Sequence, residues 1–375
     1  MWVRLCSLPS LRNNSIYSKS FHGLTVVEAF LYEEGRKRDW GIDNRERVCY
    51  TGNSKMGRYG DDGMTTVMID GGTTNTRLTL VRGNEIVCRR ECPVGAGSTG
   101  DDLQACVRAE LAALERKVPV DRICIAGMIT SEKGLVEIPH IAAPAGVADL
   151  AAAVRTVSLP DVTKEPVLCI PGVKTLGKSA EKCDMMRGEE TEVMGDLWER
   201  PARGRRLYVH FGSHNKAILV ENGRIRSSVT TISGELLSAV LRETIVGSSA
   251  GGLEGFRLDP EAAVKGCRLC AENGLSRALF QGRLAAVLGG EKQVLSMIIG
   301  MLCREDAMAF APILREETDE LVLYGRDAFI EGFMACRKEM TPQIPVRVIG
   351  HEESRWLSVK GMMAVLRQKE KEEHA

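Results

Sequence analysis

Apolar and polar positions along this chain form a hairpin pattern, and the pattern occurs twice. Residues 67–69 are an apolar run, residues 70–75 are an acid followed by glycines, threonines and an asparagine, and residues 77–81 alternate in polarity. This pattern predicts a strand, a tight turn and a returning strand. A further turn at residues 82–84 then predicts a third strand at residues 85–89.

The second occurrence lies at residues 207–225. A shift of 140 positions (212 − 72) places Gly212 on Gly72, and without a gap it also places Asn215 on Asn75 and Gly223 on Gly83. Two such hairpins, each at the start of a half, indicate a duplicated α/β architecture. Residues 201–206 (PARGRR) are the best boundary, so we expect an N-terminal lobe at 64–200 and a C-terminal lobe at 201–375.

Helical and strand periodicities fill the space between and after the hairpins. Leu103, Val107, Leu111 and Leu114 predict a helix capped by Ser98 or Thr99. The remaining expectations are strands at 123–126, 135–141, 167–170, 320–324 and 346–349, loops at 173–183 and 247–255, and helices at 185–198, 234–245, 260–272, 277–288, 293–310, 327–338 and 354–367. The tail after Lys369 is expected to fray. Residues 1–63 have no sustained period and are expected to be a poorly ordered extension.

Composition removes several classes of function. The chain of 375 residues has 50 basic and 50 acidic residues, so no basic surface for nucleic acid is indicated. No apolar stretch is long enough to cross a membrane. Twelve scattered cysteines without a secretory signal favour a cytoplasmic protein with free thiols. The lone CxxC at residues 267–270 lacks the second pair that a zinc site needs.

The first hairpin has the residue types of a phosphate and metal site. Glycine lets the backbone approach a ligand, and the predicted phosphate contacts are Gly71, Gly72, Thr73, Thr74, Asn75 and Arg77. Asp70, at the mouth of the first strand, is placed to hold Mg²⁺ through water. A tight hairpin with a hydroxyl-rich turn is the structural alternative. No GxxxxGK[ST] motif occurs, so a P-loop is excluded.

The second hairpin supplies Gly212, Ser213, His214 and Lys216 for the other phosphates of ATP. Two facing hairpins of this kind resemble those of the actin-like ATPases and sugar kinases. The resemblance implies a duplicated actin-like (ribonuclease H-like) ATPase fold, with two lobes and a nucleotide cleft between them. In such folds the turn after the late strand touches adenosine, which implies this role for Gly325 and Arg326.

Acids cluster where the two lobes would meet. Asp184, Glu189 and Glu190 lie at the start of the predicted helix 185–198, and Arg187 lies among them. Phosphoryl transfer to a hydroxyl needs an acceptor for the hydroxyl proton, and each acid is a candidate. The alternative is that the glutamates only complement a helix dipole.

Residues 186–191 (MRGEET) resemble the central motif of the 2-dehydro-3-deoxygalactonokinases. Residues 126–131 (AGMITS), the later Pro139 and Pro144, and residues 231–236 are similar to further motifs of that family, in the same order. The second hairpin departs slightly, because a Gly-Thr-His pair and a bulkier residue than Asn215 are expected there. Residues 1–63 have no counterpart.

The resemblance implies ATP-dependent phosphorylation of the terminal hydroxyl of 2-dehydro-3-deoxy-D-galactonate, a small-molecule sugar acid of galactonate breakdown. Arg187 would bind the substrate carboxylate. Thr130, Ser131 and Glu235 would contact the rest of the sugar. Glu190 is favoured as the base over Glu189 and Asp184, although helix phase alone does not separate them.

Two alternatives share the fold: an exopolyphosphatase-like hydrolase, and a kinase for another 2-keto-3-deoxy acid sugar. A third alternative is a non-catalytic ATP-binding regulator. The sequence does not indicate an oligomeric state.

Overall fold

Two mixed β-sheets built on the same plan organise the described part of the chain. The computed structural model describes residues 63–201, 203–315, 317–341 and 343–374. The strands of the first half are β1 (Thr65–Gly71), β2 (Thr76–Arg82), β3 (Glu85–Cys92), β4 (Arg122–Gly127), β5 (Ile141–Ala142), β6 (Arg155–Val157), β7 (Val167–Cys169), β8 (Val173–Thr175) and β9 (Asp184–Met186). They form a six-stranded sheet in the order β3-β2-β1-β4-β7-β6 and a small sheet in the order β5-β8-β9.

Three helices accompany these strands. They are α1 (Gly100–Glu115), α2 (Val147–Ala152) and α3 (Glu189–Glu199). Helix α1 has the predicted cap and face: the Thr99 side chain accepts from the Asp102 amide, and the four predicted apolar residues are buried. They pack against β1 and β2 residues such as Ile69 and Leu78, which explains why the helix lies on this sheet.

The second half has one five-stranded sheet, in the order β12-β11-β10-β13-β14. Its strands are β10 (Arg205–Phe211), β11 (Asn215–Glu221), β12 (Arg224–Thr231), β13 (Glu320–Gly325) and β14 (Val346–Val348). Its helices are α4 (Ser233–Glu243), α5 (Gly247–Ala250), α6 (Pro260–Asn273), α7 (Leu275–Gly289), α8 (Val294–Phe310), α9 (Asp327–Met340), α10 (His351–Ser354) and α11 (Leu357–Glu373).

The two large sheets share a topology. In each, the first strand pairs antiparallel with the second and parallel with the strand after a helical connection, as β1 does with β2 and β4, and β10 with β11 and β13. Gly127 and Gly325 end the equivalent strands β4 and β13 with φ of 85° and 111°. A Cβ on either glycine would overlap the carbonyl oxygen of Gly71 or Phe211 in the neighbouring strand. The predicted duplicated fold is confirmed.

The ungapped repeat, however, is wrong after the turn. Asp70 pairs with Arg77, whereas His210 pairs with Lys216. His210 follows Asp70 by 140 positions (210 − 70), but Lys216 follows Arg77 by 139 (216 − 77), because the second turn is one residue shorter. Consequently Asn222, with φ of 51°, takes the place of Gly83, with φ of 56°.

Helices α3 and α11 pack closely against each other. A Cβ on Gly195 would overlap the Leu357 carbonyl, and one on Gly361 would overlap the Thr191 carbonyl. These glycines therefore allow the two helix backbones to touch. The surrounding core cluster draws buried side chains from both large sheets, which joins the two halves.

A buried carboxylate on α3 ties this helix to the second sheet. Asp196 is 0% exposed. It accepts from Arg347 Nη1 at 3.0 Å and Nη2 at 2.7 Å, and from the Tyr208 hydroxyl at 2.6 Å. Burial acts to raise the pKa of Asp196, but the bonds from Arg347 and Tyr208 outweigh it and hold this pKa below the usual range.

Several predicted elements are wrong. Residues 135–140 form no strand, because Leu135 and Ile138 bond their amides to the carbonyls of Ile129 and Thr130 in a 3₁₀ turn. Residues 173–175 are strand β8 within a predicted loop, and residues 247–250 are helix α5 within another. Helix α11 continues to Glu373, beyond the expected frayed tail.

The predicted helix 185–198 begins later than expected. Residues 184–186 are strand β9, paired with β8, and the helix starts at Glu189. Gly188 separates them with φ of 117°, a backbone conformation outside the helical range that glycine adopts readily.

The cysteine expectation also needs a correction. Cys92 and Cys106 form a disulfide between the end of β3 and helix α1. The prediction that the cysteines are free thiols is therefore wrong for these two residues. These two elements pack side by side, with 6.1 Å between the Cα atoms. Cys267 and Cys270 remain free and buried in α6.

The predicted extension 1–63 lies outside the described residues except for Gly63, and the lobe boundary at 200–201 stays a prediction. Within the described ranges, no helix is both long and apolar enough to cross a membrane.

Candidate active site

The turn between β1 and β2 presents the first group of predicted phosphate contacts. The Gly72 amide donates to the Asn75 carbonyl at 2.9 Å, and the Thr73 side chain is exposed. Residues 94–98 support the turn from below: the Gly97 amide donates to the Thr73 carbonyl at 2.7 Å. A Cβ on Gly95 would lie 2.6 Å from the Gly72 carbonyl oxygen. Gly71 is buried against Ile129, and Thr74 and Asn75 are half-buried.

Asp70 is the penultimate residue of β1, beside this turn. Its Oδ2 lies 3.5 Å from Arg77 Nη1 on the neighbouring strand, and its side chain is 19% exposed. Gly127 provides room behind it, because a Cβ there would approach Asp70 Oδ1 to 3.3 Å. The predicted metal-binding carboxylate is therefore accessible and is held by one cation.

The second turn is fixed from inside the protein. The Gly212 amide donates to Asn215 Oδ1 at 3.1 Å, and Asn215 Nδ2 donates to Asp306 Oδ2 at 2.7 Å. The hydroxyls of Thr231 and Ser233 also donate to Asp306. Asn215 is fully buried, so this residue braces the turn.

Four predicted site residues gather on the outer side of the second turn. His214 Nε2 lies 3.1 Å from Glu235 Oε1, and both side chains are roughly half exposed, at 44% and 49%. Arg326 Nη2 donates to Ser213 Oγ at 3.4 Å. Glu235, expected to contact the sugar acid, thus makes its contacts with the second turn.

Lys216 reaches across to α3. Its Nζ lies 3.0 Å from Glu189 Oε1 and donates to the Met185 carbonyl at 3.1 Å, and the residue is 5% exposed. Burial acts to raise the pKa of Glu189, but the charges of Lys216 and His210 and the hydrogen bonds from Lys216 and the Glu189 amide together outweigh it, and the pKa lies below the usual range. The structure therefore joins a predicted phosphate ligand to a predicted catalytic acid.

Glu190 has a different environment from Glu189. It is 0% exposed, and both carboxylate oxygens accept from the Gly188 amide, at 2.9 and 2.8 Å. Burial, followed by the charge of Glu189, raises the pKa of Glu190 to about 7. The ionised form of Glu190 is therefore less favoured than that of Glu189.

Asp184 is committed to a contact between sheets. Its Oδ1 accepts from the Thr230 hydroxyl at 2.8 Å and its Oδ2 accepts from the Thr230 amide at 2.7 Å. Each oxygen of Asp184 thus has its own donor on β12, whereas the two oxygens of Glu190 share one amide N–H.

Arg187 lies between β9 and α3 and is held at three points. Nη1 donates to Thr130 Oγ1 at 2.6 Å, and Nη2 donates to the Ile138 carbonyl at 2.7 Å and lies 3.1 Å from His140 Nδ1. Thr130 is fully buried behind Arg187 and also donates to the Gly127 carbonyl. Ser131, half-buried, donates to the Met128 carbonyl at 2.6 Å.

A group of half-buried polar residues beside the start of α3 was not among the predicted site residues. His210 Nδ1 lies 4.0 Å from Glu189 Oε1, and the His210 ring lies 4.9 Å from that of Tyr324, tilted by 30°. Glu192, one turn along α3, has its pKa raised to about 8 by burial and then by the charges of Glu189 and Asp70. The available signal for His210 was its position, 140 residues after Asp70.

Proteins that act as 2-dehydro-3-deoxygalactonokinases are similar in sequence to this chain. A family model described as 2-keto-3-deoxy-galactonokinase matches residues 70–349. A 2-dehydro-3-deoxygalactonokinase of Escherichia coli K12 is 28% identical over 245 residues, which are 63% of this chain and 77% of the relative. A Rhizobium meliloti protein that carries the same name provisionally is 27% identical over 59% of this chain and 72% of its own length.

A solved structure from Sinorhizobium meliloti, provisionally assigned to the same activity, has this fold. It superposes with a TM-score of 0.66 at 22% identity, over 80% of this chain and 98% of its own. The matched family range, 70–349, includes both turns, the start of α3 and the strand that ends at Gly325.

Proposed function

This chain belongs to the 2-keto-3-deoxy-galactonokinase family, as its motifs predict, and we infer that it transfers the γ-phosphoryl group of ATP to the 6-hydroxyl of 2-dehydro-3-deoxy-D-galactonate. It is a sugar-acid kinase of galactonate catabolism, a phosphotransferase with an alcohol group as acceptor. The observation that carries this conclusion is the family match over residues 70–349, which includes both turns and the acids of α3.

We assign the two turns to the phosphates of ATP. Gly71 to Asn75 and Arg77 would receive the γ-phosphate, and Gly212, Ser213, His214 and Lys216 the α- and β-phosphates. Supporting this, the exposed Thr73 and the half-exposed His214 are open to a ligand. Gly325 and Arg326, directly beside Ser213, would contact adenosine.

Asp70 is the proposed magnesium residue. The site fits a hard cation, because an accessible carboxylate stands beside the phosphate turn and Gly127 keeps the space next to it free. No group of three or more acidic, histidine or cysteine side chains in the described part of the chain is arranged for a metal. Asp70 would therefore hold Mg²⁺ through water and phosphate oxygens. When bound, Mg²⁺ neutralises charge on the transferring phosphoryl group.

Glu190 is the proposed acceptor of the hydroxyl proton. A base works best when its pKa is near the working pH, and the pKa of Glu190 is raised to about 7. Glu189 is paired with Lys216, which stabilises its ionised form and makes it a weaker base. Each oxygen of Asp184 accepts from a separate donor of Thr230, whereas the two oxygens of Glu190 share one amide N–H. These contacts favour Glu190 among the three acids.

Arg187 is the proposed carboxylate contact of the sugar acid, with Thr130 behind it and Ser131 beside it. The guanidinium has five N–H donors, of which three are used by Thr130, Ile138 and His140. Two donors remain for a substrate carboxylate. Glu235, on α4 beside the second turn, would contact the rest of the sugar acid. We also propose a cytoplasmic location and no nucleic-acid partner, in keeping with the balanced charge.

A coupled assay of ADP release tests this function against the hydrolase alternative. With ATP and 2-dehydro-3-deoxy-D-galactonate, ADP release should depend on the sugar acid, and polyphosphate should yield no phosphate. Glu190→Gln should lower kcat by at least about a hundredfold if Glu190 is the base. Glu373→Gln, which removes the ion pair with Lys369 far from these acids in sequence, is the control and should leave kcat unchanged. Phosphate release from polyphosphate without sugar-dependent ADP release would contradict the proposal.

A further inference from the structure

The small sheet β5-β8-β9 has one face in the core and one face open. Val173 pairs with both Ile141 and Met186, and Val173 and Met186 are buried. Side chains alternate along a strand, so the next register positions lie on the opposite face. There Lys174 pairs with Ala142 and with Met185, which is 62% exposed.

The same alternation places three more residues on the open face. His140, Gly172 and Arg187 each precede or follow a core-facing residue of these strands by one position. Their contacts agree with this placement: a Cβ on Gly172 would lie 2.6 Å from His140 Cδ2, and His140 Nδ1 lies 3.1 Å from Arg187 Nη2. The absent side chain at position 172 is what lets the imidazole reach the guanidinium.

His140 acts on Arg187 as a hydrogen-bond acceptor. Arginine can only donate, so Nδ1 is the acceptor and the imidazole is neutral. Burial first, and then the charges of Arg187, Lys174 and Lys216, lower the pKa of His140 to about 4, which keeps it neutral at physiological pH. With Thr130 and Ile138, His140 fixes the direction of the guanidinium.

Two cations on this face make no ion pair. No acid lies within ion-pair distance of Arg187 or Lys174 anywhere in residues 63–201, 203–315, 317–341 or 343–374, although both side chains are half-buried. The charges of Glu190 and Glu137 act on Arg187 only from a distance. Lys216, which approaches the same strand through the Met185 carbonyl, is neutralised by Glu189. Half-buried cations without a direct ion-pair partner are costly unless an anion joins them.

We propose that Lys174 is the second cation of the substrate carboxylate subsite and that His140 is the positioning residue that aims Arg187 into it. This inference rests on the proposed function, because it takes the sugar acid as the anion. Arg187 supplies directional N–H donors, and Lys174 supplies a point charge from the adjacent strand. The subsite therefore discriminates a 2-keto acid from a neutral sugar by charge.

Steady-state kinetics and calorimetric titration of the sugar acid test the proposal. Lys174→Met should raise the KM and Kd for 2-dehydro-3-deoxy-D-galactonate by at least about tenfold and leave kcat and the KM for ATP within about twofold. Its preference for the acid over the corresponding primary amide should fall by a similar factor. Lys164→Met removes an exposed lysine elsewhere in the first half and is the matched control.

The positioning role has its own pair of variants. His140→Asn keeps an acceptor near the position of Nδ1 and should stay close to wild type, whereas His140→Leu should raise the KM for the sugar acid about as much as Lys174→Met. Equal behaviour of the Asn and Leu variants would overturn the role of His140, and an unchanged KM and Kd in Lys174→Met would overturn that of Lys174. If the wild-type protein phosphorylates the sugar acid but Lys174→Met and His140→Leu bind it as tightly as the wild type does, this inference is wrong and the proposed function stands. One that neither binds nor phosphorylates it overturns the proposed function as well.

Discussion

Replacing Asp196 by Asn should destabilise the fold strongly, although Asp196 is no part of the proposed chemistry. The carboxylate is fully buried and receives two N–H bonds from Arg347 and one O–H bond from Tyr208. Asparagine removes the charge and leaves Arg347, itself only 22% exposed, without compensation on this side. Breaking a buried charge pair in this way costs about 3–5 kcal/mol.

Part of that cost is offset, because Glu320 Oε1 also lies 3.2 Å from Arg347 Nε. We therefore expect a loss of about 3 kcal/mol, near the lower end of the range for a broken buried pair. For a chain of this size that corresponds to a fall in Tm of about 4 °C. The pKa of Asp196 is lowered from its ordinary 3.8, so its contribution is present above that pH and is lost as the pH falls further.

Thermal unfolding monitored by circular dichroism, at pH 7 and in acid, measures this effect. Glu373→Gln, which removes the exposed pair with Lys369, serves as the control and should not shift Tm. A shift of less than about 1 °C in Asp196→Asn at pH 7 would refute the claim that this network holds α3 to the second sheet.

Three further predictions concern Asp70, Glu190 and Gly361. Asp70→Asn should lower kcat by about three orders of magnitude with an unchanged Tm, since the lost charge acts on metal and phosphate; normal turnover would remove Asp70 from the metal site. The kcat/KM should fall about tenfold per pH unit below pH 7, because Glu190 must be ionised to accept a proton and its pKa is raised to about 7; a pH profile without this limb, or an identical limb in Glu190→Gln, would contradict the role of Glu190. Gly361→Ala should cost at least about 2 kcal/mol in denaturant unfolding, because its Cβ overlaps the Thr191 carbonyl, whereas Gly289→Ala meets no atom within 4 Å and should be neutral.

Elements whose structure depends on neighbouring residues along the chain were predicted well from the sequence. Both hairpins, the capped helix α1 and the duplicated α/β architecture follow from alternation, glycine and capping residues, whereas the actin-like fold was implied by the resemblance. The first residue of α3 was harder to predict from the sequence. The helical spacing of apolar residues extends back to Met185, but the positive φ of Gly188 means that the helix begins only after this glycine.

The parts that were missed depend on contacts between distant segments. The shorter second turn is visible only in the pairing of His210 with Lys216. Lys174 and His140 come to Arg187 through the register of three very short strands, and such strands leave little periodic signal. In the sequence, Asp196 is one of several acids on a predicted helix, and its bonds to the distant Tyr208 and Arg347 are visible only in the structure.

Identification of the product tests the central claim most directly. The protein should be incubated with ATP, Mg²⁺ and a panel of 2-keto-3-deoxy acids, and the products followed by ³¹P NMR. We predict equimolar ADP and a new phosphomonoester on the 6-hydroxyl of 2-dehydro-3-deoxy-D-galactonate. Inorganic phosphate as the sole new signal, or a phosphomonoester formed only from a different acid, would contradict the account.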